Sequence, residues 1–247
     1  VPRSELTLLK KWSDASTSRL GRLADEEQQI QNAKDIVEFQ HYFADLIDRM
    51  REHPEDNIIS DLANNTIDEG RLLTKPEALG MIQQILVAGN ETSTNAIAGG
   101  VVLLIQNPEE QAKLRANPVL IPTAVEEILR LETPTSGMWR RATQDTEIDG
   151  VAIPEGSFLM VRFAAGNRDE SVFPCAGAMQ VDRENADNHM AFGQGTHFCL
   201  GAQLARTELQ IAMKTLLRRT DNWALVEGKN SLKHHPNVLL RGLMDLH

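Results

Sequence analysis

The sequence predicts a mainly α fold with a small β portion, on three observations. Apolar residues recur at the helical period through the first half, between stops rich in Pro and Asn. Runs rich in β-formers are confined to TEIDGVAIPEGSFLMVRFAAGNRD, split by Asp149-Gly150 and Pro154-Glu155-Gly156. After an irregular polar stretch, a glycine-rich decapeptide, Phe192 to Gly201, runs straight into the helical pattern AQLARTELQIAMKTLLRR.

The elements follow in order. Leu6 to Leu23 is amphipathic, with Trp12 on its apolar side. Ile30 to Arg51 keeps the helical period through Ile36, Phe39, Phe43, Ile47 and Met50, and Pro54 stops it. Ile58 to Ala63 forms a short helix, and Asp68-Glu69-Gly70 a turn. Thr74 is an N-cap with Glu77 three places on and Pro76 in the first turn, and the helix it opens runs to Gln106, where Asn107-Pro108 ends it. Pro108 to Ala116 and Ile121 to Leu131 are helical. The β-rich region reads as strand, turn, strand, and 167–190 as a long loop of the kind that carries function. Leu204 to Arg219 is the last helix, and NVLLRGLMDL a β-like tail. With no internal repeat and no low-complexity linker, residues 1–247 are expected to form one domain.

At 247 residues the chain can bury a large core, and 41% apolar with 24% charged residues is ordinary for a globular protein. A net charge of −10 argues against nucleic acid as a partner. Cys175 and Cys199 make neither a disulfide framework nor a four-ligand zinc site, which fits a reducing, cytoplasmic setting. The run MIQQILVAGNETSTNAIAGGVVLLI is broken by Gln, Asn, Glu and Thr, so it is a poor membrane span and is expected to be a buried helix. No signal peptide is evident. Val1-Pro2-Arg3-Ser4 enters a helical pattern without Met or lead-in, as expected of a chain whose earlier part is absent.

Cys199 lies where the loop FGQGTHFCLG meets a helix N-terminus, which gathers backbone N–H groups and positive dipole and favours a thiolate. Such a thiolate could be a nucleophile, a redox thiol or a metal ligand. A core cysteine in a turn is the plain alternative, but three glycines, Phe192 and His197 are hard to explain by packing alone. His197, two residues away, is badly placed to activate its neighbour, and the thiol-protease signatures are missing. A single axial thiolate to haem iron fits best, because iron in a macrocycle needs one protein ligand.

FGQGTHFCLG resembles the haem-binding signature of the cytochromes P450, Phe-Gly-x-Gly-x-His/Arg-x-Cys-x-Gly, a highly specific pattern. The resemblance, to the soluble bacterial branch, runs along the whole chain and covers the C-terminal part of that fold. It implies haem b (iron protoporphyrin IX) as cofactor, ligated by Cys199 and bordered by Ala88, Gly89, Ala191, Phe192, Gly193, Leu200, Gly201 and Ala205. Arg140 and His197 would meet the haem propionates, with His189 a third cation and Arg141 an alternative to Arg140.

Glu127 and Arg130 in VEEILR read alone as a surface pair worth a few tenths of a kcal/mol. The family's Glu-x-x-Arg motif implies instead a buried ion pair that braces the cysteine loop, with Arg183 as third member. Ala88-Gly89-Asn90-Glu91-Thr92 puts polar groups inside an apolar helix, which is unfavourable without a purpose. The resemblance implies the oxygen-activation kink, with Glu91 and Thr92 as the acid–alcohol pair that delivers protons through water so that the O–O bond breaks heterolytically. Both being present, the implied activity is an O2-using monooxygenase; a thiolate-haem sensor that does no turnover is the alternative, and a haem-free helical protein a third. Cys175 stands where the family usually has a Pro-Asp pair after Phe-Pro, and reads as a partly exposed bystander.

Substrate contacts carried over from the family are Leu86, Val87, Asn90, Pro134, Ser136, Gly137, Met138, Leu239 and Leu240, a mostly apolar set that implies an apolar organic substrate. Without a flavin or nucleotide fingerprint, electrons come from an external ferredoxin-type or flavoprotein donor. Arg206, Lys214, Arg218 and Arg219 offer such a donor a basic proximal face, or are a solvated helix face favoured by the dipole.

Overall fold

The computed structural model describes residues 3–21, 25–67 and 70–247. The chain divides into two compact units, Val1–Glu91 and Thr92–His247.

The first unit is helical. Helices α1 (Leu6–Gly21), α2 (Glu26–Glu52) and α3 (Ile58–Asn64) precede α4 (Lys75–Gln106), whose N-terminal half lies in this unit. Asp25 caps α2 by accepting the Gln28 N–H at 2.9 Å, and Asn57 caps α3 through the N–H groups of Ile59 and Ser60. The expected capping box opens α4: Glu77 accepts the Thr74 N–H at 2.8 Å, while the Thr74 hydroxyl accepts the Glu77 N–H at 3.4 Å. Trp12, Phe39, Phe43, Ile47 and Ile82 centre the core, with Trp12 edge-on to Phe39 at 5.7 Å. Leu23, Asp68 and Glu69, placed by the sequence in a helix end and a turn, lie outside the described residues.

In the second unit the rest of α4 is followed by α5 (Pro108–Ala116) and α6 (Ile121–Glu132), and later by α8 (Ala202–Arg219). Leu104, Leu114, Val125, Ile128, Leu209 and Met213 form its core. Gly100 lets α4 approach closely: a Cβ there would lie 3.0 Å from Ile128 and 3.1 Å from Met213. Strands β1 (Met138–Arg141) and β4 (Phe158–Val161) pair antiparallel, as do β2 (Thr146–Ile148) and β3 (Val151–Ile153), which turn at Asp149-Gly150 with both residues at positive φ.

Four expectations change. MWRR is a strand, invisible to pattern because all its residues are exposed and nothing alternates. Phe163–Gly166, read as the end of a strand, is the short helix α7. The tail is no strand: its bonds are single, Ser136 N–H to Leu239 O and Arg241 N–H to Pro134 O, and make isolated bridges. Helix α4 is only partly buried; Ala78, Ile82, Ala96 and Leu104 are buried, but Met81 and Ile85 are exposed. No helix of the described residues is long and apolar enough to cross a membrane.

Candidate active site

The cysteine loop is built on two left-handed glycines, Gly193 at φ 71° and Gly195 at φ 75°. Between them and α8 a single turn of 3-10 helix, Gly195–His197, swings the chain so that Cys199 N–H meets Phe192 O at 2.9 Å. Gly201 is the N-cap of α8 and provides no side-chain bond, and the first amide of the helix, Ala202 N–H, turns back to the Cys199 carbonyl at 3.3 Å. Cys199 is exposed. Around it Leu200 is 100% exposed, Leu204 63% and Phe198 48%, three apolar side chains without cover at one thiol. Ala202, Leu209 and Met213 on the other face of α8 are buried and hold the junction rigid.

Behind the loop stands the expected ion network. Glu127 and Arg130 are fully buried and pair at 2.7 and 2.8 Å, and Arg183 reaches both Glu127 oxygens at 3.0 Å. The remaining guanidinium donors go to carbonyls of 167–178: Arg130 to Asn167, Ala176 and Ala178, Arg183 to Pro174, Cys175 and Ala178. The network thus secures the long loop first, a change from the direct brace expected. The link onward is Asn167, whose carboxamide takes the Met190 N–H at 2.6 Å, two residues before Phe192.

A second cluster was missed by the sequence. Arg206 makes a fork-to-fork pair with Glu126, 2.8 Å on each arm, and lies 4.7 Å over the Phe192 ring. His189 is buried with Nε2 3.2 Å from the same carboxylate, while its Nδ1 accepts the Ala191 N–H at 3.1 Å. That acceptor role assigns the ring proton to Nε2. Burial opposes ionisation of Glu126, yet the bonds from His189 and Arg206 outweigh it and hold its carboxyl down to about 2. Two expectations fall here. His189 is not a spare cation for a propionate, since it is turned into Glu126. Arg206 is withdrawn from the basic face, which leaves Lys214, Arg218 and Arg219 exposed. The only sequence sign was Glu126 beside Glu127, with Arg206 seven residues after Cys199.

Arg140 is exposed on β1, one amino group on the Trp139 carbonyl at 2.9 Å; Arg141 lies over Phe158 at 5.9 Å. His197 is exposed, Gly193 is buried, and Ala191, Phe192 and Ala205 are half-buried. Cys175 is exposed at φ 54°.

Of the expected substrate contacts in the second unit, Pro134, Ser136, Gly137 and Leu239 are buried, Leu240 is half-buried and Met138 exposed. The Ser136 hydroxyl donates to the carbonyls of Val238 and Leu239 and so fastens the tail. Leu86, Val87, Asn90 and Glu91 are half-buried and Ala88 and Gly89 exposed within the first unit, where a Cβ on Gly89 would meet nothing within 4 Å. Thr92, next along α4, is half-buried and opens the second unit.

Known proteins resemble this chain. The sequence model of the family described as Cytochrome P450 matches residues 24–240. The cytochrome P450 monooxygenase PikC of Streptomyces venezuelae is 37% identical over all of this chain and 58% of its own length. The biotin biosynthesis cytochrome P450 of Bacillus subtilis is 37% identical over 100% of this chain and 61% of its own. Among solved structures, P450BioI in complex with hexadec-9Z-enoic acid ligated acyl carrier protein superposes with a TM-score of 0.90 at 35% identity, over 100% of this chain and 62% of that one. The chain therefore spans about three fifths of the length of these relatives.

Proposed function

The chain belongs to the cytochrome P450 family, and on that premise we propose that Cys199 would hold haem b as its thiolate ligand in a monooxygenase that inserts one atom of O2 into an apolar organic substrate. The observation that carries this reading is the exposed Cys199 thiol at a loop–helix junction, its amide tied to Phe192 and its surroundings apolar and uncovered. Members of the family carry haem b.

The residues present fit that group. An apolar macrocycle would cover the exposed Phe198, Leu200 and Leu204, and the left-handed glycines keep side chains away from the loop. Cys199 supplies the one protein ligand, and Arg140 and His197, both exposed, are the proposed holders of the propionates. Ala88, Gly89, Ala191, Phe192, Gly193, Leu200, Gly201 and Ala205 are the proposed border of the macrocycle. When bound, haem b supplies the iron centre at which dioxygen is reduced and one of its atoms passes to the substrate.

The chain's own part is binding and proton handling. Glu91 and Thr92, neighbours on α4, hold and pass protons at carboxyl and hydroxyl. A Cβ on Gly89 would meet nothing within 4 Å. Glu127, Arg130 and Arg183 do no chemistry and keep the loop from drifting. Leu86, Val87, Asn90, Met138 and Leu240 are the proposed contacts of an apolar substrate. Lys214, Arg218 and Arg219, exposed on a chain of net charge −10, suit docking by an acidic ferredoxin-type or flavoprotein electron donor. Both units are read as parts of one haem-binding domain.

A sensor that binds without turnover has no use for the Glu91–Thr92 pair, which favours the enzyme. Turnover of the full-length protein with isotopically labelled O2 and an external electron donor tests the reading. One labelled atom per product molecule supports it, and unlabelled product contradicts it.

A further inference from the structure

The Glu126–Arg206 pair is more elaborate than surface charge requires. Arg206 sits on α8, and its side chain is 24% exposed while that of Glu126 is 12% exposed. Its Nε and one terminal amino group are both spent on one carboxylate, and that carboxylate is held from behind by His189, whose Nδ1 accepts the Ala191 amide. The guanidinium is thereby fixed in orientation, and its face is laid on Phe192. The Phe192 ring meets His189 at 5.7 Å and Phe198 at 6.3 Å, so three neighbours locate it. Phe192 is also the residue whose carbonyl accepts the Cys199 amide. The hydrogen bonds to Glu126 raise the Arg206 guanidinium above its ordinary value against the cost of burial, so it stays a cation in its clamp.

We propose that Arg206 is a positioning residue for Cys199: clamped by Glu126 and His189, its guanidinium holds the Phe192 ring and with it the carbonyl that accepts the Cys199 amide, which keeps the sulfur where a haem iron takes it. The inference rests on the reading of Cys199 as the haem ligand. A salt bridge that merely stapled α6 to α8 would stabilise the fold and leave the sulfur unaffected. A clamp on Phe192 acts on the ligand itself.

The test uses the haem-loaded full-length protein and two readouts other than turnover. One is the share of the reduced CO complex with the strongly red-shifted Soret band, which reports thiolate ligation. The other is the midpoint potential of the haem iron. Arg206→Leu should raise the unshifted share several-fold and make the midpoint more negative, because loss of a nearby positive charge favours the ferric state. Arg206→Lys restores charge without the fork and should recover the potential more than the band. Glu126→Gln keeps the guanidinium but loosens it, and should move the band in the same direction by less; it serves also where Arg206→Leu does not fold. Lys214→Gln, an exposed cation on the same helix, should change neither. The proposal is overturned if Arg206→Leu and Glu126→Gln both keep the wild-type band and potential, or if Lys214→Gln moves them equally. A wild-type protein without the shifted band would overturn the ligand assignment as well, so the two failures are distinct.

Discussion

Glu127 and Arg130 stand one turn apart on α6, both at 0% side-chain exposure, joined by two bonds of 2.7 and 2.8 Å. Arg183 closes on the same carboxylate at 3.0 Å, so two guanidiniums share one buried acid. Their other donors are consumed by loop carbonyls, which stabilises an arrangement that burial alone would penalise.

Removing the shared acid leaves two buried cations facing each other. Glu127→Gln should therefore destabilise the protein by about 3–5 kcal/mol, read as a fall in the denaturation midpoint. Haem retention should fall with it, as the path through Asn167 to Met190 slackens. A loss under about 1 kcal/mol, the scale of an exposed pair, would show that the network is not insulated from water.

Acid should attack the second carboxylate cluster. Glu126 has its carboxyl lowered from 4.5 to about 2, so its contribution is full above the unfolded value and is lost as pH falls through the folded one. Stability of the wild type measured between about pH 5 and pH 2 should decline by on the order of 3 kcal/mol more than that of Glu126→Gln. Parallel curves for the two proteins would refute the assignment.

Tyr42 offers a clean optical probe, being the one tyrosine of the sequence. Burial, reinforced by its bond to Glu5, pushes its phenol up to about 12. Stability from this group is present below about pH 10, its unfolded value, and is lost as pH rises through the folded one. The tyrosinate absorbance of the folded protein should stay silent at pH 10 and rise towards 12, whereas denaturant should return the midpoint to about 10. A folded-state midpoint near 10 would place the ring in water.

If Glu91 and Thr92 handle protons, Thr92→Ala should leave electron uptake in place and lower product formed per electron, with the balance appearing as reduced oxygen species. An unchanged yield per electron would sink the proton role, whatever became of the overall rate.

Much of the fold was legible because its signals are local. The helices declare themselves through apolar period and stops, so α4 to α6 end where Gln106, Ala116 and the left-handed Thr133 predict or permit. The Cys199 loop is legible because glycines at positive φ are a backbone demand written in residue identity. The strand β1 was not, since exposed strands carry no alternation. The Glu126–His189–Arg206 cluster was not, because its members are 80 and 63 residues apart and only packing brings them to one carboxylate. The same holds for Ser136, whose hydroxyl donates to carbonyls of the tail about a hundred residues away.

The central claim is that the Cys199 thiolate binds haem iron. The most direct measurement is the absorption spectrum of the haem-loaded full-length protein, reduced with dithionite and exposed to CO, beside Cys199→Ser. A strongly red-shifted Soret band in the wild type that vanishes in the variant is the predicted result. An unshifted band in the wild type, or a shifted band that survives the substitution, would contradict it.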